Sequence, residues 1–575
     1  MHALISRLPL PLLAAIGLVA CGGGSDGPPP PTPPAAPPVI PQLSQATPGA
    51  LVGNCTDLVA RLAGLANTTL TASTDVVAGT LTVGGQPVPA HCLVTGKMFE
   101  RTSTVDGNAY AISFEIRLPL AWNGRFFHQG NGGIDGSVVT ATGATGGGPL
   151  THALHKGFAV LSSDAGHAGA LGPFFGIDPQ ARLDYGYQAA AKLTPMAKSV
   201  LAGAYGKAPD RSYFGGCSNG GRHVFNAFAR MPEQYDGYLA GAPGYNLPKA
   251  AVANIFGGQR YASVATDPAN IATGFTNAER ATVAAAVLSK CDALDGSTDG
   301  LIQDVEACRS NFSLALDVPS CPGARDGTCL SDAQKTAIAP IFSGATTSTG
   351  APIYASFPYD AGLGAGGIPF WEFTAPVNLD SGAVGVIFAV PPATLPFDGP
   401  AFALTGNVDS MFASISATNA TYTESAMSFM TPPNPTQLSA VRNRGAKIMV
   451  YHGVSDPIFS ADDSANWARG VAANHADAAA FARLYLVPGM GHCSGGPATD
   501  QFDMLASLVD WVERGVTPDS VTASARGAGN LGGVNAEVPV GWAANRARPL
   551  CPWPKVARYS GSGSLDSAAS FSCQL

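Results

Sequence analysis

The sequence predicts an α/β protein, a sheet whose strands are joined by crossover helices. Three short apolar runs carry the prediction: Phe126-Phe127-His128-Gln129, Phe158-Ala159-Val160-Leu161-Ser162 and Lys447-Ile448-Met449-Val450-Tyr451. Each is followed by a turn, as such a fold requires before its crossover helices. Composition agrees, because 46% of residues are hydrophobic and only 13% charged, while 69 Gly and 46 Pro supply turns and long ordered loops. The formal net charge of −8, with no basic stripe, argues against a nucleic-acid partner. Eleven Cys is an odd number and too many for a reducing cytosol without metals or catalysis.

Residues 1–21 read as an export signal. Arg7 precedes an apolar run from Leu8 to Ala20, too short to span a bilayer and suited to the core of a signal peptide. It ends in Leu18-Val19-Ala20-Cys21, which resembles a bacterial lipobox with Cys21 as the lipidated mature N-terminus. The alternative is an ordinary secretory peptide cut near Ala20. Residues 22–42 are Gly-rich and then Pro-rich, so they form an extended tether rather than a core. The expectation is an exported lipoprotein of the bacterial outer membrane, periplasm or cell surface, touching the membrane only through its anchor. The body follows as a first core part (43–244), an insertion (245–431) holding four Cys and scattered aromatics, and a second core part (432–575).

Gly216-Cys217-Ser218-Asn219-Gly220 matches G-x-S-x-G and sits in the right context. Ser212-Tyr213-Phe214 reads as a strand, and Arg222 to Met231 as a helix with Val224, Phe225 and Phe228 on one face. A sharp turn between them would expose Ser218 Oγ and aim the Asn219 N–H at a developing oxyanion. In hydrolases built on such an elbow the acid and then the histidine follow along the chain. His492, in the turn after Leu484-Tyr485-Leu486-Val487, is the expected base; His475 lies on a polar helical stretch and reads as a surface residue. Asp456, after the strand ending at Tyr451, is the expected acid, whereas Asp462 and Asp463 read as helix-capping residues. If Ser218 and His492 meet, the adjacent Cys217 and Cys493 come within disulfide distance.

These motifs resemble the tannase and feruloyl esterase family, which also contains the hydrolase of mono(2-hydroxyethyl) terephthalate. The matching residues are Gly216 to Gly221, Gly453-Val454-Ser455-Asp456-Pro457 and Gly491-His492-Cys493-Ser494-Gly495-Gly496-Pro497, and the likeness runs from Cys55 to Cys573. The resemblance implies an α/β-hydrolase fold with a lid domain inserted between nucleophile and acid. It implies a Cys217–Cys493 bridge and the pairs Cys55–Cys92, Cys291–Cys308, Cys321–Cys329 and Cys551–Cys573, which arithmetic alone could not choose among 105 connectivities for eight Cys.

The loop from Cys291 to Leu301 packs three Asp and two Gly, hard oxygen ligands on a tightly turning backbone, though not at EF-hand spacing. By resemblance it binds a structural Ca²⁺ through carboxylates of Asp292, Asp295 and Asp299 and carbonyls of Ser297 and Leu301. The expected reaction is acyl transfer to water, with a second oxyanion N–H from the Gly130-Asn131-Gly132-Gly133 turn, at Gly132. Phe459 matches a position lining the family's acyl pocket. From Thr336 to Val441 the insertion has no Lys or Arg but several aromatics, Phe370, Trp371, Phe373, Phe388, Phe397 and Phe412 among them. That favours a neutral aromatic acyl group over a terephthalate half-ester. Trp371 and Phe388 have no assigned role, since such aromatics are usually core. The competing class is a non-catalytic lipoprotein that binds carbohydrate or a partner.

Overall fold

The computed structural model describes residues 39–148 and 150–575. The export signal, Cys21 and most of the 22–42 tether lie outside the described residues.

A nine-stranded sheet organises the body. Its strands in chain order are β1 (Thr68–Val76), β2 (His91–Thr102), β3 (Ala109–Pro119), β4 (Arg125–Gly130), β5 (Ala159–Ser163), β6 (Arg211–Cys217), β7 (Gly237–Gly241), β8 (Lys447–Gly453) and β9 (Ala482–Val487). Across the sheet they run β9-β8-β7-β6-β4-β5-β3-β2-β1. Pairs from β9 to β5 are parallel, and those from β5 through β3 and β2 to β1 are antiparallel. Burial follows this division. On β3, Tyr110, Ile112, Phe114, Ile116 and Leu118 alternate inward, whereas every residue of β8 is buried, as expected for a parallel strand covered on both faces.

The longer helices are α1 (Ala189–Tyr205), α2 (Asn219–Arg230), α3 (Leu247–Ser263), α4 (Asn277–Cys291), α5 (Asp332–Ser343), α6 (Ala461–Asn474) and α7 (Met504–Arg514), of which α1, α2, α6 and α7 cover the sheet. Phe214, Tyr238, Ile448 and Val450 pack on α1, α2 and α6. Their strand neighbours Tyr213, Leu239, Met449 and Tyr451 point to the opposite face and meet Leu505, Leu508 and Trp511 of α7. The parallel register brings the carboxyl ends of β4, β6, β7, β8 and β9 to one edge. Helix α2 begins at Asn219, directly after Ser218, three residues earlier than the apolar spacing indicates.

After β7 the chain leaves the sheet and returns at β8. The intervening stretch holds α3, α4 and α5, the latter two opened by capping boxes, Thr276 with Glu279 and Ser331 with Gln334. Widened π-helical turns follow over Phe370–Thr374, Pro376–Asp380 and Ala383–Phe388. Phe388 is fully buried, in one apolar cluster with Phe256, Phe429 and Phe459. The insertion is bound to the core by Arg309 to Asp462 at 2.7 Å and Asn246 to Asp463 at 3.1 Å. These contacts correct the sequence reading of both Asp residues, because the cap of α6 is Ser460, which accepts the Asp462 N–H. His475 is likewise buried rather than solvated, its Nε2 accepting the Leu438 N–H at 3.0 Å.

Asp380 in the insertion is 3% exposed, with Asn254 Nδ2 donating to it at 3.2 Å. Burial pushes its carboxyl up to about 8. The folded chain therefore keeps a proton that the unfolded chain, with an ordinary carboxyl near 3.8, has already lost. Its contribution to stability falls as pH rises between those two values and is flat above them. In Asp380→Asn that loss disappears, so the Tm gain over wild type is expected to grow from pH 5 to pH 8. Equal Tm differences at both pH values would contradict this.

Candidate active site

Ser218 stands between β6 and α2 at φ +66°, ψ −129°, a conformation costly for a residue with a side chain. The approach of loop and helix leaves no room for side chains beside it: a Cβ at Gly216 or Gly220 would run into the Gly130 carbonyl oxygen. The Ser218 N–H donates to the Gly241 carbonyl at 2.9 Å, so the elbow is held by the neighbouring strand.

The sequence-expected base and acid meet this serine. His492 Nε2 lies 2.8 Å from Ser218 Oγ, and His492 Nδ1 lies 2.7 Å from Asp456 Oδ2. A carboxylate only accepts, so Nδ1 carries the hydrogen and Nε2 presents its lone pair to the serine hydroxyl. Asp456 Oδ1 accepts the N–H groups of Ile458 and Phe459, at 3.0 and 3.1 Å. Although burial pushes its carboxyl up, the charge of His492 and hydrogen bonds from His452 and His492 hold it well below the usual carboxylate range. His452 is fully buried and faces the Phe459 carbonyl at 2.9 Å, with Asp456 Oδ2 3.4 Å away.

Asn219 opens α2, so its N–H has no acceptor within the helix. Gly132 is close by: a Cβ placed on it would lie 3.8 Å from Ser218 Cβ. Gly132 and the first turn of α2 thus border the serine. Cys217 and Cys493 are bridged with a Cα separation of 6.1 Å, and the other four pairs are those the resemblance implies, Cys55–Cys92, Cys291–Cys308, Cys321–Cys329 and Cys551–Cys573.

Phe459 stands edge-on to the His492 ring with centroids 5.5 Å apart. Trp371, unassigned from sequence, does the same at 4.9 Å from the insertion. Trp371 also lines a largely apolar cavity with Phe256, Tyr261, Phe357 and Glu372, closed on the core side by Asp456 and Pro457. A residue the sequence did not mark is Asp360, fully buried in the insertion. Its Oδ2 accepts the Ser455 hydroxyl at 2.6 Å and the Gly489 N–H at 2.7 Å, joining the loops that carry Asp456 and His492.

The Asp-rich loop is buried and internally hydrogen-bonded. Asp292 Oδ1 accepts from the Asp299 and Gly300 N–H groups, Asp295 Oδ1 from Ser297, and Asp299 Oδ1 from the Leu301 N–H. Asp299 Oδ2 also pairs with Arg548. Asp295 Oδ2 is buried without a hydrogen-bond partner. Among the described residues no three Asp, Glu, His or Cys side chains are gathered closely enough to hold a metal as they stand. No helix among them is long and apolar enough to cross a membrane.

Comparison with known proteins agrees with this geometry. The chain is 39% identical over 532 residues to mono(2-hydroxyethyl) terephthalate hydrolase of Piscinibacter sakaiensis, covering 86% of each chain. Feruloyl esterase B of Aspergillus oryzae, 24% identical, superposes with a TM-score of 0.70 over 90% of this chain and 100% of its own. Tannin acyl hydrolase of Aspergillus niger, 19% identical, gives a TM-score of 0.62 over 92% and 96%. At those identities the two structures share the α/β-hydrolase fold with this chain. The profile of tannase and feruloyl esterase matches residues 92–574, and the chain accordingly belongs to that family of carboxylic ester hydrolases.

Proposed function

We propose that the protein hydrolyses esters of aromatic acids, hydroxycinnamates or gallates, through an acyl-enzyme on Ser218. The observation that carries this is the unbroken chain from Ser218 Oγ through His492 to Asp456, set on a strained elbow at the start of α2. His492 Nε2 takes the hydroxyl proton as Oγ attacks the ester carbonyl. The oxyanion is met by the N–H groups of Asn219 and Gly132. Asp456 stabilises the imidazolium, which then gives its proton to the leaving alcohol. Water enters by the same route and releases the acid.

Phe459 and Trp371 flank His492 and offer flat apolar surfaces to an aromatic acyl group. The absence of Lys and Arg from Thr336 to Val441 leaves that stretch with no counter-ion for a free carboxylate. A second reading, hydrolysis of a terephthalate half-ester, is favoured by the 39% identity to such an enzyme. Steady-state rates on methyl ferulate, methyl gallate and mono(2-hydroxyethyl) terephthalate separate the two. A neutral ester is expected to lead the half-ester in kcat/KM by about tenfold or more. The reverse order would transfer the assignment to the second reading, and no turnover of any aryl ester would overturn both.

The same proposal places a structural Ca²⁺ at the Asp-rich loop, held by Asp292, Asp295 and Asp299 with the Ser297 and Leu301 carbonyls. Support comes from the chemistry of the loop, three buried Asp on one tightly turning backbone with Asp295 Oδ2 unpartnered; binding would draw the three carboxylates together and Asp299 away from Arg548. A chelator is expected to lower Tm and added Ca²⁺ to restore it; a Tm indifferent to both would contradict the assignment. Five disulfides fit an oxidising compartment, and Leu18-Val19-Ala20-Cys21 supports export with a lipid at Cys21.

A further inference from the structure

A second buried polar cluster lies directly behind the elbow. The Asn219 side chain is turned into the protein, where Nδ2 donates to Asp135 Oδ2 at 2.8 Å and to the Asn131 carbonyl at 3.3 Å. Its Oδ1 accepts from Arg222 Nε at 2.6 Å, which fixes the amide orientation. His223 Nε2 lies 2.8 Å from the same Asp135 Oδ2, and the Asp135 side chain is only 2% exposed. Arg222 is fully buried and donates to the Gly186 and Tyr185 carbonyls at 2.6 and 2.9 Å, so the cluster is anchored to the scaffold.

Placement gives the cluster its meaning. Asp135 lies three residues beyond Gly132 and itself holds φ +56°. Gly132 and Gly133 have no side chains with which to fix their own loop, and a Cβ at Gly133 would meet nothing within 4 Å. The loop itself is reached at carbonyls, Gly133 by the Tyr185 hydroxyl at 3.4 Å and Ile134 by His167 Nε2 at 2.8 Å, and its flanks supply further bonds. On one side Asn131 Nδ2 donates to Ser162 Oγ at 3.0 Å and the Ser163 carbonyl at 2.8 Å. On the other, an Asp135 oxygen joins the loop to Asn219 at 2.8 Å, a shorter link than the 3.3 Å bond from Asn219 to the Asn131 carbonyl. Burying a carboxylate costs several kcal/mol unless donors surround it, and here they come from the helix that follows the nucleophile.

We propose that Asp135 is a positioning residue of the oxyanion hole: it locks the Gly132 loop to Asn219 so that both N–H groups meet the same developing oxyanion. Its side chain is buried and bonded to Asn219 and His223 rather than to Ser218, and the proposal rests on the assignment of Ser218, Asn219 and Gly132 above. Displacing one donor by a fraction of an ångström weakens the transition state more than the bound substrate.

The test uses the full chain carrying Asp135→Ala, which removes the acceptor shared by Asn219 and His223. The expected result is a fall in kcat of about 10- to 100-fold with KM changed less than about twofold. An aryl boronic acid, which adds to the serine as a tetrahedral adduct, is expected to lose affinity by a similar factor, while the product aromatic acid keeps its own. Equal losses for boronate and product, or an unchanged kcat, would overturn the proposal. Should Asp135→Ala fail to fold, Asn219→Ala removes that bond from the helix side, together with the bonds to the Asn131 carbonyl and from Arg222, and is judged by the same ratio. Ser218→Ala run in parallel separates the two levels. If it retains turnover, the assignment of the nucleophile fails; if it is inactive while Asp135→Ala keeps kcat and boronate affinity, only the positioning role fails.

Discussion

Replacing Ser218 with alanine is expected to lower kcat on an aromatic methyl ester by about 10⁴-fold or more, with Tm unchanged or slightly raised. No group adjoining the elbow can take over the attack. His492 Nε2 is directed at Oγ, and Cys217, the neighbouring sulfur, is bound in a disulfide. The residual rate comes from what remains, the two backbone donors and the bound geometry. Stability has its own reason to hold. Alanine keeps the backbone at φ +66° without asking anything of the hydroxyl, and glycine at the same position would relieve the strain outright. Ser218→Gly should therefore be inactive and more stable than Ser218→Ala. A drop in Tm for either variant would mean that the hydroxyl supports the fold rather than the reaction.

Removing the Cys217–Cys493 bridge should cost both stability and rate. The bond closes a sequence separation of 276 residues, and losing a native disulfide typically costs about 2–5 kcal/mol. Its position matters more than its length. One sulfur adjoins the nucleophile and the other adjoins the base, on a residue at φ +66° whose carbonyl accepts the Gly147 N–H at 2.9 Å. Without the bridge the His492 turn is held by hydrogen bonds, among them those to Asp456, from Gly489 to Asp360, from the Ser455 N–H to the Met490 carbonyl and from Gly495 to Asp500. Cys217→Ala/Cys493→Ala is thus expected to lose at least about tenfold in kcat, with Tm down by several degrees. Full activity at an unchanged Tm, measured beside wild type, would show that the bridge has no part in aligning the pair.

What could be read from the sequence depended on whether local sterics or distant contacts decide. The elbow was legible because a turn this tight excludes side chains at Gly216 and Gly220, and those glycines stand on either side of Ser218. Asp456 and His492 were legible because parallel strands deliver their carboxyl ends to one edge, so a residue just beyond β8 or β9 must lie there. Where a role is set by a partner far along the chain, the same reading failed. Asp462 and Asp463 open a helix and looked like caps, yet their partners Arg309 and Asn246 come from the insertion. His475 follows a polar helix and looked solvated, but Leu438 covers it. Trp371 lies on widened turns with no regular period, and Asp360 and Asp135 are lone acids in irregular loops, distinguished only by what folds against them.

The central claim is that an ester passes its acyl group to Ser218, and trapping that intermediate tests it most directly. Wild-type protein mixed with an excess of aryl ester and acid-quenched before steady state should gain the mass of one acyl group. Proteolysis and mass spectrometry should place that mass on the peptide containing Ser218, and Ser218→Ala should show none. An acyl group found on another residue, or turnover with no acylated protein at any quench time in wild type and in a His492→Ala variant supplied with imidazole, would contradict the account.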